Sequence, residues 1–257
     1  MLEVFKRHWR AYLMEAAGLA GFVLGAGLLT IFLEHPDSPA MQSSFGGEEN
    51  AVWRRIPLGV LMGAYIALVI YLFGKKSGAH INPATSWTFF RLGKINFANA
   101  VSYTLAQLAG AIAAAQLLKV TVGKWFAHPR INFGVTEMKP PHNPAEAFAA
   151  EFIISFVLMF AVLIVISSKR LEKFAAPVSG VLIALYLIFE LPFSGMSLNP
   201  ARSFAAAFAA NKWEHLWIYF VAPPAAMLLA AEFYTRMKTG FPNIFDKELP
   251  IYPKENR

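Results

Sequence analysis

An all-α membrane protein is the fold that the sequence predicts, with six transmembrane helices and two re-entrant half-helices in an inverted repeat of three plus three. Three observations lead there. Of the 257 residues, 56% are apolar and 15% charged, and the mean hydropathy is positive, so charges are too few to cover a soluble surface of this size. Apolar runs of roughly membrane-spanning length recur along the whole chain. An eight-residue pattern also occurs twice, as Ser77-Gly-Ala-His-Ile-Asn82-Pro83-Ala84 and Ser194-Gly-Met-Ser-Leu-Asn199-Pro200-Ala201, once in each half. That recurrence implies an internal duplication.

The elements follow in order. Residues 11–33 hold one charge, Glu15, and at about 1.5 Å rise per residue they cross a hydrocarbon core of roughly 30 Å as span one. This run is too long for a signal-peptide core and leads into further runs, so no cleaved leader is expected. Residues 34–55 carry Pro36, Pro39, Gly46, Gly47 and several acids, and read as an exposed loop. Residues 56–74 are uncharged and form span two. Lys75 and Lys76 end it, the first repeated motif follows, and residues 85–90 suffice only for a short half-helix. Residues 95–118 give span three. The polar, Pro-rich stretch 119–146 divides the halves. Residues 147–168, with Glu151 as their one charge, form span four, and residues 174–189 form span five after a basic turn. The second motif, a short run at 203–210, and span six at 216–231 complete the pattern. The whole, 1–257, reads as one transmembrane domain, with repeats at about 9–125 and 145–236 and cytoplasmic tails at 1–8 and 237–257.

Placing both termini in the cytoplasm puts fifteen Lys and Arg residues inside, Lys254 and Arg257 among them, and eight outside, which is the favoured orientation. Three spans per half then leave the halves inverted. The net charge of +7 lies in these flanks, so a nucleic-acid partner is not expected. Absence of cysteine excludes disulfides and thiol chemistry. The scattered histidines suggest no metal site, no cofactor is expected, and no nucleophile and base pair marks an enzyme.

The repeated motif has a physical reading. Non-helical backbone at membrane depth survives only where protein buries it or where it lines a watery cavity. Ser-Gly-x-x is poor helix, and Pro suits a first helical turn, so each motif reads as an extended lead-in and then a short helix capped by Asn82 or Asn199. In an inverted repeat the two helix N-termini meet near the midplane. Two positive dipole ends beside two amides repel cations and donate hydrogen bonds to a water or hydroxyl, which turns that water's hydrogens outward and interrupts a proton wire. Carbonyls of Gly78, Ala79, His80, Gly195, Met196 and Ser197 offer acceptors along the path. His80 reads as a packed loop residue more than as a gate, and Glu15 and Glu151 as structural supports bonding loop N–H groups near each half-helix. Glu190, beside the second motif, fits no role in this reading.

At these residues the sequence resembles the aquaporin, or major intrinsic protein, family. The resemblance spans residues 9–236 and rests on two Asn-Pro-Ala boxes 117 residues apart, Glu15 and Glu151, Gln107-x-x-Gly110-Ala111, and the run Asn199-Pro200-Ala201-Arg202-Ser203-Phe204. It implies one pore per protomer, a homotetramer, a plasma-membrane location, and a selectivity filter of an Arg and three neighbours. Arg202 matches that Arg, and an ungapped count places the others at Met62, Leu187 and Met196. Here the chain departs from the family, since water channels show Phe, His and Cys or Thr there, and glycerol channels Trp, Gly and Phe. Ser203, Ala207, Tyr219 and Phe220 resemble the water-selective subgroup. The resemblance therefore implies a passive channel for water, with small uncharged solutes, that excludes protons and ions. A glycerol, urea, ammonia or hydrogen peroxide channel with an apolar filter is the alternative, and a closed structural or adhesive membrane protein the second.

Overall fold

The computed structural model describes residues 2–44, 46–240 and 245–253. Met1, Lys254 and Arg257, the outermost residues of the expected tails, lie outside the described residues. The order is α1 (Leu2–Glu34), α2 (Pro39–Gln42), α3 (Ala51–Phe73), α4 (Pro83–Arg91), α5 (Phe97–Thr121), α6 (Gly123–Phe126), α7 (Pro144–Ile166), α8 (Ala175–Phe189), α9 (Leu191–Ser194), α10 (Pro200–Ala210) and α11 (Leu216–Gly240). Among the described residues, α1, α3, α5, α7, α11 and α8 together with the helical turn before it (Glu172–Phe189) are long and apolar enough to span a membrane, and there is no strand. Leu13, Val60, Leu105, Ile153, Val181 and Phe233, one on each span, stand exposed as a lipid-facing surface requires. Trp9, Trp53, Trp213 and Trp217 are exposed near helix ends, the positions where indole rings suit the headgroup layer.

The spans pair as α1 with α5, α7 with α11, and α3 with α8. Small residues make these approaches possible, because apolar lipid provides no hydrophobic drive between helices and close backbone contact must serve instead. A Cβ on Gly63 would lie 2.3 Å from the Gly180 carbonyl oxygen, and one on Gly180 would lie 2.6 Å from that of Gly63. On the other pair, a Cβ at Gly110 would come within 2.2 Å of the Ala16 oxygen. Gly63→Leu is accordingly expected to force α3 from α8 and lower stability by about 3 kcal/mol or more. Gly123→Leu, with open space around it, is expected to change little. Thermal denaturation in detergent distinguishes the two.

Several expectations change. α1 and α11 outrun their apolar runs at the ends that carry Lys6, Arg7, Arg10, Arg236 and Lys238, because helix-forming residues continue the pattern into the polar layer. The stretch 34–55 is not simply an exposed loop. It holds α2 and the start of α3, and Arg54, 2% exposed, donates to Glu34 (3.0 and 3.1 Å) and to the Gly47 carbonyl (2.7 Å). The stretch 119–146 folds back onto the second motif, where Thr136 Oγ1 donates to Ser203 Oγ at 2.7 Å. The lead-ins of the motifs are not extended either. Ala79, Ile81, Met196 and Leu198 have φ between 41° and 58°, alternating with residues of negative φ. This left-handed backbone is costly for residues with a Cβ, and something must hold it.

Candidate functional site

The chemistry of the two motifs starts at their helix ends. Asn82 caps α4, its Oδ1 accepting from the Ala84 N–H at 2.9 Å, and Asn199 caps α10 by accepting from Ala201 (3.0 Å) and Arg202 (3.3 Å). Pro83 and Pro200 occupy the first helical turns, where a missing N–H costs nothing. The amide nitrogens then cross between the halves. Asn82 Nδ2 donates to the Leu198 carbonyl and Asn199 Nδ2 donates to the Ile81 carbonyl, both at 2.7 Å. Each carboxamide nitrogen has two hydrogens, so this reciprocal bridge uses one and leaves a second on each side.

Buried carboxylates hold the left-handed lead-ins. Glu15 accepts from the N–H groups of His80 (3.0 Å) and Ile81 (2.5 Å), and from Gln107 Nε2 at 2.8 Å. Glu151 accepts from the N–H groups of Ser197 (2.5 Å) and Leu198 (2.8 Å), and from the Ser194 hydroxyl at 2.8 Å. Both acids are 0% exposed. The correspondence extends outward, since Tyr103 donates to the Ser77 carbonyl (2.6 Å) and Tyr219 to that of Ser194 (2.5 Å).

A cavity of about 800 Å³ reaches this centre. Asn82, Asn199, Gly78, Ala79, His80, Met196 and Ser197 line it together with apolar residues such as Phe22, Ile66 and Ile183. Its walls end in two helix N-termini and two amides, a set that can donate hydrogen bonds to a small neutral guest and disfavours a cation.

Comparison with known proteins follows the same lines. The sequence profile of the major intrinsic protein family matches residues 5–234. The chain belongs to the major intrinsic protein family. Among its relatives, aquaporin NIP2-3 of Zea mays is 34% identical over 197 residues, 76% of this chain and 63% of that protein. Aquaporin-4 of Notomys alexis is 31% identical over 231 residues, 88% of this chain and 66% of that protein. The chain thus spans less than two thirds of the length of these relatives. In fold it is similar to the aquaglyceroporin from Plasmodium falciparum, with a TM-score of 0.75, 20% identity, and coverage of 92% and 98% of the two chains.

In this major intrinsic protein, Met62, Leu187 and Met196 belong to one packed apolar cluster and are 3% exposed or less. Arg202, from the first turn of α10, donates through Nη1 to the carbonyls of Met196 (3.0 Å) and Gly195 (3.4 Å). Among the described residues, Met62, Leu187, Gly195 and Arg202 are not walls of the cavity, which stops on the other side of Met196. Arg202 thus takes one acceptor position on each of the Gly195 and Met196 carbonyls, and the second lone pair of each is left for another donor.

The sequence reading missed Ser86 and its equivalence to Ser203. Ser86 and Ser203 stand at the same place in the two half-helices, Ser86 receiving a hydrogen bond from Gln107 (3.2 Å) and Ser203 contacting Ser197 (2.5 Å). Their matching spacing after Asn82 and Asn199 was the available signal. Glu190 also finds a place. Ser194 Oγ contacts both Glu151 and Glu190 and accepts from the Met196 N–H at 3.1 Å. A hydroxyl has one hydrogen, so one of the two carboxyl contacts requires a carboxyl proton. Glu151 already accepts from the N–H groups of Ser197 and Leu198, which favours its ionised form, whereas burial and then the charge of Glu151 push the Glu190 carboxyl up, so the proton belongs on Glu190.

Proposed function

We propose that the chain is a passive channel in which water, with small uncharged solutes, crosses the membrane while protons and ions are excluded. The observation that carries this reading is the reciprocal bridge of Asn82 and Asn199 at the head of the cavity. Water arriving there is offered donors from both sides and must point its own hydrogens away, while the helix ends oppose cations. The aquaporin names of the relatives agree. Arg202, Met62, Leu187 and Met196 form the selectivity filter in this reading. This apolar ring of two Met and one Leu offers a solute no polar partners, and because its side chains are packed together, passage through it requires the flexible Met side chains to move aside. The carbonyls of Gly78, Ala79, His80 and Ser197 serve as acceptors along it, and Glu15 and Glu151 as supports.

In this reading both termini are cytoplasmic, which the excess of Lys and Arg in the flanks supports, the two repeats run over about 9–125 and 145–236, and the protein works as a homotetramer in the plasma membrane. The test is stopped-flow light scattering on proteoliposomes, first under a sucrose gradient and then under glycerol or urea. Shrinkage well above that of empty vesicles is expected, and shrinkage no faster than theirs would refute the channel. Leu187→His places a rigid, polar ring in the filter in place of a flexible apolar chain and is expected to lower urea and glycerol entry about ten-fold with a smaller change for water. Unchanged solute entry would remove Leu187 from the filter.

A further inference from the structure

The cavity that reaches Asn82 and Asn199 has, at its opposite end, walls that come from neither half of the channel. Lys247, Pro250 and Tyr252 line it there. These residues follow α11 and lie beyond the region that the family profile matches. The segment is fastened at both ends. Phe245 and Leu249, each 4% exposed, are buried among residues of the bundle, with the Phe245 ring 5.3 Å from that of Tyr234 at an angle of 89°. The Lys247 N–H donates to the Ser167 carbonyl (2.9 Å), and Asp246 accepts from the Lys169 N–H (2.9 Å), which ties one end to the turn between α7 and α8. Lys247 also pairs with Glu172 in that turn. Across the mouth, the Tyr252 N–H donates to the Lys94 carbonyl (2.8 Å) beyond α4, and Glu248 pairs with Lys238 (2.5 Å) and Lys94 (3.4 Å).

The Tyr252 ring comes down on the first motif. Its centroid lies 5.7 Å from that of His80, edge-on, and 6.2 Å from that of Phe89, and a Cβ added to Gly78 would meet its Cδ2 at 3.0 Å. All of this sits on residues that form the wall of the path just before the Asn pair.

We propose that residues 245–253 form a strap across the cytoplasmic mouth, and that Tyr252, together with His80 and Phe89, makes a constriction there that limits the rate of passage. The inference rests on the channel reading and adds to it a third narrow point and a means of regulation. The apolar anchors place the strap, and the ion pairs of Glu248, a side chain 75% exposed, hold it in a way that charge or modification on the cytoplasmic side can undo.

Two variants test this without disturbing the bundle. Tyr252→Ala keeps the anchors and removes the ring, and Glu248→Lys reverses an exposed charge between Lys94 and Lys238. Unit water permeability is measured by stopped flow on proteoliposomes of equal protein content, with thermal denaturation in detergent to confirm equal folding. Both variants are expected to conduct about three-fold faster than the unaltered chain or more. Wild-type permeability in both, at wild-type melting temperature, overturns the strap and leaves the channel standing. Permeability equal to empty vesicles in all three proteins overturns the channel reading itself, and the strap with it.

Discussion

Glu15→Ala and Glu151→Ala are each expected to abolish water permeation and to deplete the folded protein. Every such substitution strands two buried backbone N–H groups, those of His80 and Ile81 in one half and those of Ser197 and Leu198 in the other. An unsatisfied buried donor costs about 1–3 kcal/mol, and the space left by the side chain adds to it. The same carboxylates hold Ala79, Ile81, Met196 and Leu198 at positive φ, where relaxation pulls the carbonyls of Ile81 and Leu198 away from the two Asn amides. A loss of roughly 4–6 kcal/mol is a large part of the 5–15 kcal/mol that stabilises a typical domain. Glu→Gln is expected to cost less, because one acceptor remains for two donors. Size-exclusion recovery, melting temperature and stopped-flow permeability check this together. Alanine variants that melt and conduct like the unaltered chain would show that the lead-ins hold their own shape.

The sequence carried the architecture because membrane burial imposes a long-range period that survives any detail of packing. Runs of apolar residues set the spans, and Asn82-Pro83 and Asn199-Pro200 set the half-helix starts through the chemistry of capping alone. The left-handed turns of Ala79, Ile81, Met196 and Leu198 were not legible, since nothing in those side chains prefers positive φ. Their cause lies in Glu15 and Glu151, 65 and 46 residues distant from the nearest N–H they accept. The burial of Arg54, within a stretch that reads as an exposed loop, was hidden for a similar reason, because its partner Glu34 lies 20 residues earlier. Glu190 could be assigned only when Ser194 Oγ was seen between two acids. The strap left the faintest trace, two apolar residues, Phe245 and Leu249, in a polar tail too short to show any period.

Arg202→Ala is expected to admit cations, and to do so more as pH rises. A cation passing about 6 Å from a fixed positive charge at an effective dielectric constant of about 20 meets a barrier of roughly 3 kcal/mol. With about 1.4 kcal/mol per ten-fold, removing the guanidinium raises cation leak by something on the order of 100-fold, to the limit that the Asn pair still imposes. What remains beside the gap is acidic. Burial, and then Glu151, raise the Glu190 carboxyl to about 8, while Arg202 opposes that rise, so in the variant Glu190 ionises only above about 8. Below that pH Glu190 is neutral and contributes little attraction. As pH passes the midpoint it becomes a second negative charge near the vacated position, and the leak grows. Arg202→Ala combined with Glu190→Gln keeps the leak and loses its alkaline rise, because the amide cannot ionise. Sodium flux into proteoliposomes between pH 6 and 10 measures both effects. A leak in the single variant that stays flat across that range would show that Glu190 does not act on the path, and no leak at any pH would leave the Asn82 and Asn199 bridge as a sufficient barrier to cations by itself.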